Sequence, residues 1–370
     1  MGLLVLALAI FRVPAPAVAA QGRIGQTAPP AVAAAAGILI DAADGKTLWE
    51  KQAGQRRPPA SLTKTLTALI ALRKTRPSQK IAASSRAEAI GSDDPLVTEL
   101  ELVEGERLTS EQLVYGLLLP SANDAAVALA EGISGSLPKF AALMNQTARS
   151  LGARDTNFVN PSGFDDPRHY STARDLAVIA RAAMDNPVFR KIVATPTYIL
   201  ARPGRPAVEL RNRNTLLGSF EGANGIKTGQ TRQAGKALIA SARRGEEERI
   251  AVVLDSPDPA AESAVLLEYG FDAFRRFQVA RTGRPWGVVT FGNGSTATLV
   301  ARRDLSLLLA VAAPDPRVTY LPREKAVEAA GLKVPVTLQC RAPACGTSNS
   351  SGRVAGALMY LFSPLLSLLR

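Results

Sequence analysis

The 370-residue chain is 46% apolar and 21% charged, which excludes a disordered polymer and leaves room for two packed domains. Its net charge of +12 favours anionic partners, yet no Lys/Arg block carries interleaved aromatics, so nucleic acid is not expected. A single histidine, His169, excludes a His-rich metal site, and neither a metal nor another cofactor is expected.

The chain opens on MGLLVLALAIFRVPAPAVAAQ. An apolar run from Leu3 to Phe11, then Pro14, Pro16 and small residues at Ala17–Ala19, reads as an export signal over residues 1–20 that lacks a basic leader. A place in the periplasm or cell envelope follows as an expectation. Residues 21–35 read as an Ala/Pro/Gly-rich lead-in. GILIDAADGKTLWEK then predicts a hairpin turning at Asp44–Gly45.

From Ser61 to about Leu72, apolar residues at Leu62, Leu66, Leu69 and Ile70 predict a helix. LTSEQLVYGLLLP predicts a second, started by Thr109 or Ser110, and SANDAAVALAEGI a third, with Ser121 or Asn123 as cap. LPKFAALMNQTARSLG is amphipathic and closed by Gly152, and STARDLAVIARAAM starts at Ser171 or Thr172. After Pro187 the pattern turns to strands. NGIKTGQT, GKALIASARR and ERIAVVLDS predict an antiparallel meander, and AAESAVLLEYGFDAFRRF a final helix ending near Phe277. Together these make one α/β domain over residues 30–278.

Residues 279–345 read as a smaller, mostly β region, 346–353 as a flexible tether and 354–370 as an apolar tail. At 17 residues with Pro364 inside, the tail is marginal for spanning a bilayer; lying in the interface or packing as a core helix are the alternatives. From residue 279 onward eleven Lys/Arg stand against four Asp/Glu, which suits an anionic membrane surface as a partner. Cys340 and Cys345 fit one disulfide in an exported protein, or two free thiols.

The chemistry centres on SLTK, Ser61 to Lys64. Alone this is weak, because a chain of this length holds about one S-x-x-K by chance. Its context is better: Pro58 and Pro59 stop a helix from extending backward, so Ser61 is expected at a helix start, where free N–H groups favour developing negative charge. Lys64 lies one turn on and could take the serine proton if it were neutral, which burial and a nearby cation would achieve. Lys227 of KTG is the candidate for that cation, and it could also hold a substrate carboxylate. Thr228 adds a hydroxyl, and Gly229 leaves room for an extended peptide beside the strand. Ser121 and Asn123 of SAN offer a proton relay and an amide that could orient a substrate.

SLTK, SAN and KTG, in this order and spaced 60 and 106 residues apart, resemble the motifs of the low-molecular-mass penicillin-binding proteins, the D-Ala-D-Ala carboxypeptidases. GILIDAADGKTLWEK, LLLPSANDAAVALAE, NPSGFDDPRHYSTARDLA, NRNTLL and GIKTGQT strengthen the likeness over residues 36–278. The resemblance implies an α/β fold of the β-lactamase/DD-peptidase type, an antiparallel sheet with a helical subdomain, followed here by the smaller β-rich region. It implies Ser61 as acyl-ester nucleophile, Lys64 as proton acceptor and Ser121 as relay. It further implies Asn123 holding the peptide and Lys227, Thr228 and Arg213 of NRN meeting the terminal carboxylate. The backbone N–H groups of Ser61 and Gln230 would form the oxyanion hole. The implied substrate is a peptidoglycan stem peptide, and β-lactams are the implied inhibitors.

Gln230 replaces the histidine or tyrosine often found after KTG, and Asn224 an aspartate common there; a structural effect at most is expected from the second. Leu151 to Asp166 holds no glutamate to activate a deacylating water, so a penicillin adduct should leave slowly. D,D-endopeptidase action is a close variant. A non-catalytic wall-binding scaffold and a hydrolase built on His169 are the alternatives in other classes.

Overall fold

The computed structural model describes residues 28–90, 96–290, 296–313, 318–321, 326–329 and 332–340. The expected signal segment, tether, apolar tail and Cys340–Cys345 disulfide lie outside the described residues or their described side chains.

The chain divides into two compact units that part between Asp272 and Ala273. The first opens on β1 (Ala36–Asp41) and β2 (Thr47–Lys51), the hairpin expected from the Asp-Gly turn, with Gly45 in the left-handed region at φ 76°. Next come α1 (Lys64–Lys74), β3 (Lys80–Ala82), α2 (Ser85–Glu88), β4 (Arg107–Thr109), α3 (Ser110–Leu118), α4 (Asn123–Ser134) and α5 (Leu137–Leu151). They are followed by α6 (Ala173–Met184), α7 (Pro187–Val193), β5 (Thr197–Arg202) and β6 (Arg205–Arg211). The meander β7 (Ala223–Thr231), β8 (Gly235–Arg244) and β9 (Glu247–Leu254) and the helix α8 (Pro259–Asp272) complete the unit.

Its sheet runs in the order β2-β1-β9-β8-β7, with every pairing antiparallel. β1 therefore pairs with β9, so the first strand of the unit meets its last. Side-chain alternation gives the sheet two buried faces. Ile38, Ile40, Ile250 and Val252 join a core shared with α1 and α3 to α6, while Leu39 lies against α8 at Gly270. Burial on both faces explains why IAVVL in β9 reads as a continuous apolar run.

Helix ends follow the sequence signals in three cases. Thr109 caps α3 in a full capping box with Gln112, Thr172 caps α6, and Gly152 closes α5 at φ 95°. Elsewhere the expectations need correcting. Neither Ser121 nor Asn123 caps α4; Ala122 holds the N-cap position without a side-chain bond, because both neighbouring side chains turn into the site described below. Residues 187–193 form α7 rather than a strand, capped by Asn186, whose Oδ1 accepts from the N–H groups of Val188 and Phe189. The final helix stops at Asp272, and the FRRF expected at its end is strand.

In the described part of the second unit the strand pairings are antiparallel, and one isolated bridge, Thr282 to Ala301, is parallel. β10 (Phe274–Ala280) pairs with β13 (Leu305–Ala310). β11 (Pro285–Thr290), β12 (Thr296–Ala301), β14 (Val318–Leu321), β15 (Ala326–Ala329) and β16 (Leu332–Cys340) form a sheet ordered β11-β12-β16-β15-β14. This β character begins at residue 274, ahead of the 279 expected from composition. No helix among the described residues is long and apolar enough to cross a membrane.

Candidate active site

Ser61 lies in a 3-10 turn, Ala60–Thr63, which feeds into α1 at Lys64. It is thus one turn ahead of the α-helix it was expected to start. Neither the turn nor α1 has a side-chain cap; the Leu62 N–H donates to the Pro59 carbonyl at 3.2 Å and the Lys64 N–H to the carbonyls of Ser61 and Leu62. The turn is braced from outside. Gly163 has φ 91°, and a Cβ on it would stand 1.8 Å from the Ala60 carbonyl oxygen, so only glycine admits this approach.

Lys64 is fully buried. Its Nζ lies 2.8 Å from Ser61 Oγ, 2.7 Å from Asn123 Oδ1 and 2.9 Å from the Ser162 carbonyl oxygen. The last two groups can only accept. A neutral amine with both hydrogens on them therefore aims its lone pair at the serine hydroxyl. Burial, then the neighbouring Arg213 guanidinium, lowers the Lys64 pKa to about 7, against a smaller opposing pull from Asp124. An uncharged amine in hydrogen-bond contact with a serine hydroxyl can take its proton.

Ser121 lines the same cleft and holds a left-handed backbone, φ 75°, unusual for a residue with a side chain. Asn123 begins α4 and engages both ends of its amide. Oδ1 accepts from Lys64, and Nδ2 donates to the Thr98 carbonyl at 3.2 Å, with its second hydrogen left over.

Lys227 enters from β7, the edge strand of the sheet, which runs beside the Ser61 turn. It is fully buried and donates to the Thr228 carbonyl at 2.8 Å. Burial first, then Lys64 and Arg213, holds its pKa well below the usual lysine range. Arg213 acts on both amines, and Lys64 acts on Lys227; the guanidinium is a cation to which sequence reading assigned no part in tuning these amines. Thr228, Gly229, Gln230 and Arg213 line a cleft of about 310 Å³ together with Ser61 and Ser121. Gly229 lets the strand lie close, since a Cβ there would meet Ala60 and Leu62 at 3.3 Å. Arg213 has no carboxylate partner among the described residues. Two buried amines, a serine turn and a guanidinium thus converge from elements far apart in sequence.

The D-alanyl-D-alanine carboxypeptidase family model matches residues 24–258. The chain belongs to this family. It is 33% identical over 328 residues to the D-alanyl-D-alanine carboxypeptidase DacD of Salmonella typhimurium, covering 85% of this chain and 83% of that one. With DacF of Bacillus subtilis it shares 34% over 245 residues, 64% of this chain and 62% of the relative's length. Among solved structures, penicillin binding protein 5 of Haemophilus influenzae superposes with a TM-score of 0.69 at 28% identity, over 85% of this chain and 97% of the other.

In this member of the carboxypeptidase family, sequence reading missed the loop before α6. Asn160 Oδ1 accepts from the N–H groups of Ser162, Gly163 and Phe164 and so shapes the carbonyl that holds Lys64. The NPSG stretch was the available signal, an Asx-type turn ahead of a glycine. Asn224, in place of the family's usual aspartate, accepts from Ser241 Oγ and donates to Glu248, away from the cleft. His169 is buried with both ring nitrogens engaged, by Thr63 Oγ1 and by the Val159 N–H, so no serine-histidine pair is available to it.

Proposed function

We propose that this chain is a serine D,D-carboxypeptidase that releases the terminal D-alanine of peptidoglycan stem pentapeptides and is acylated by penicillin. The observation that carries the reading is Lys64 Nζ at 2.8 Å from Ser61 Oγ, with its pKa lowered to about 7. At neutral pH roughly half of this amine is uncharged. The Ser61 proton moves to the Lys64 lone pair as Oγ attacks the carbonyl carbon of the penultimate D-alanine. Backbone N–H groups of Ser61 and Gln230 stabilise the oxyanion. Collapse breaks the amide C–N bond, and the departing nitrogen takes a proton relayed through Ser121. Water then hydrolyses the ester. Arg213 and Thr228, with Lys227 behind them, hold the terminal carboxylate, and the spare Asn123 hydrogen meets a peptide carbonyl.

The same reading places the protein outside the cytoplasm, delivered by the apolar segment of residues 1–20. The basic residues beyond 279 and the apolar tail would then rest on an anionic membrane surface.

Incubation with a pentapeptide ending in D-Ala-D-Ala tests the activity: the wild type frees D-alanine and labels with fluorescent penicillin, and Ser61→Ala does neither. Folded wild type that neither labels nor releases D-alanine would leave a non-catalytic wall-binding protein instead.

A further inference from the structure

The SLTK turn contains a hydroxyl that the reaction does not consume, Thr63, and it is fully buried. Its Oγ1 lies 2.9 Å from His169 Nε2. The other ring nitrogen, Nδ1, accepts from the Val159 N–H at 3.1 Å. That bond assigns the tautomer: Nε2 carries the proton and donates to Thr63. The imidazole therefore ties the serine turn to the loop that begins at Val159. Along this loop Pro161 O accepts from Thr67 Oγ1 at 2.7 Å, Ser162 O accepts from Lys64, and Gly163 presses on Ala60. One side chain thus bridges the two backbones that fix the Ser61–Lys64 geometry.

We infer that His169 is a positioning residue for acylation, acting through Thr63 and Val159 to hold the Ser162 carbonyl and the Ser61 turn in register. The inference rests on the reading of Ser61 as nucleophile and Lys64 as base. The ring is built into its place. Phe158 packs against it edge-on at 5.4 Å between centroids, and the His169 backbone N–H donates to the Asp166 carbonyl at 2.8 Å. The carboxylates that act on it are Asp165 and Asp166, yet burial outweighs them and keeps the ring neutral, as a one-donor, one-acceptor bridge requires. A neutral lysine works as a base only when both its hydrogens are taken elsewhere. Losing the Ser162 carbonyl would let the amine rotate its lone pair off the serine without emptying the cleft. The expected signature is a slower chemical step with unchanged binding.

The test is stopped-flow acylation by a fluorescent penicillin at neutral pH, resolving the acylation rate constant from the prior dissociation constant. Thr63→Val keeps the shape and removes the hydroxyl; Thr63→Ser restores it. His169→Asn retains an acceptor near Val159 but is too short to reach Thr63. Thr63→Val and His169→Asn should acylate at least about tenfold more slowly with the dissociation constant unchanged, and Thr63→Ser should recover most of the rate. Thermal melts run in parallel. Folded Thr63→Val that acylates at the wild-type rate, or a loss carried by the dissociation constant, overturns the inference even if His169→Asn does not fold. Failure of the folded wild type to acylate would remove the Ser61 reading and this inference with it.

Discussion

The Arg213 guanidinium acts on the Lys64 amine across the cleft, and after burial it is the largest influence lowering that amine's pKa, to about 7. Its removal should raise the Lys64 pKa, leaving less free base at neutral pH. Arg213→Gln is therefore expected to move the acid limb of the acylation profile to higher pH. Asn123→Asp, which places a carboxylate where Oδ1 now lies 2.7 Å from Nζ, should move it the same way. Penicillin acylation rates measured from about pH 5 to about pH 9 read this directly. A limb that stays put in both variants would mean that Lys64 is not the titrating base.

His169 should make stability depend on pH. Burial lowers its pKa from 6.5 to about 4. Between those values the unfolded chain binds more protons than the folded one, so stability rises with pH there and is lost as pH falls from about 6.5 toward about 4. The shift corresponds to about 3 kcal/mol at most. Urea unfolding of wild type and His169→Gln at pH 7, 5 and 4, values spanning this roughly two-unit window, should show the wild type losing more. Parallel losses in the two proteins would assign the acid sensitivity to other groups.

Gly163 and Gly152 share a left-handed backbone, but their surroundings differ. A Cβ on Gly163 would meet Ala60 backbone, whereas one on Gly152 would meet nothing within 4 Å. Gly152→Ala should cost about 1 kcal/mol and leave penicillin labelling intact. Gly163→Ala should cost at least about 2 kcal/mol and displace the Ser61 turn, so that labelling falls in whatever protein remains folded. Equal effects in melting and labelling assays would contradict the close approach.

Among the described residues the cleft lining includes no carboxylate. None of these residues can activate water as a class A β-lactamase glutamate does. Once formed, the penicillin adduct should persist after free antibiotic is removed. A gel chase of fluorescent label measures it; rapid return of unlabelled protein would require a deacylating base elsewhere.

Arg202 is nearly completely buried and pairs with buried Glu106, while its Nη1 donates to the Leu100 carbonyl at 2.8 Å. Arg202→Ala leaves Glu106 with only the half-exposed Arg205 for charge, and about 3 kcal/mol of destabilisation is expected. Denaturant melts check this, and an unchanged midpoint would show that Arg205 suffices.

Local rules in the sequence were enough for much of the fold. The Asp-Gly turn sets the β1–β2 hairpin, Thr109 and Thr172 start their helices, and strand-forming runs parted by short polar turns mark β7 to β9, because each depends on neighbours a few residues away. The order SLTK, SAN, KTG made the chemistry legible for the same reason: spacing along the chain is a property of the chain. The cap at Asn186 that makes residues 187–193 a helix is a local signal that sequence reading missed, whereas FRRF became strand because it pairs with β13, Leu305–Ala310, further along the chain. The electrostatics belong to tertiary structure alone. Burial of Lys64 and Lys227, the action of Arg213 on both amines, the bond of Asn123 to Lys64 and the His169 bridge all arise between residues remote in sequence. Desolvation and Coulomb effects act through space, so no spacing along the chain encodes them.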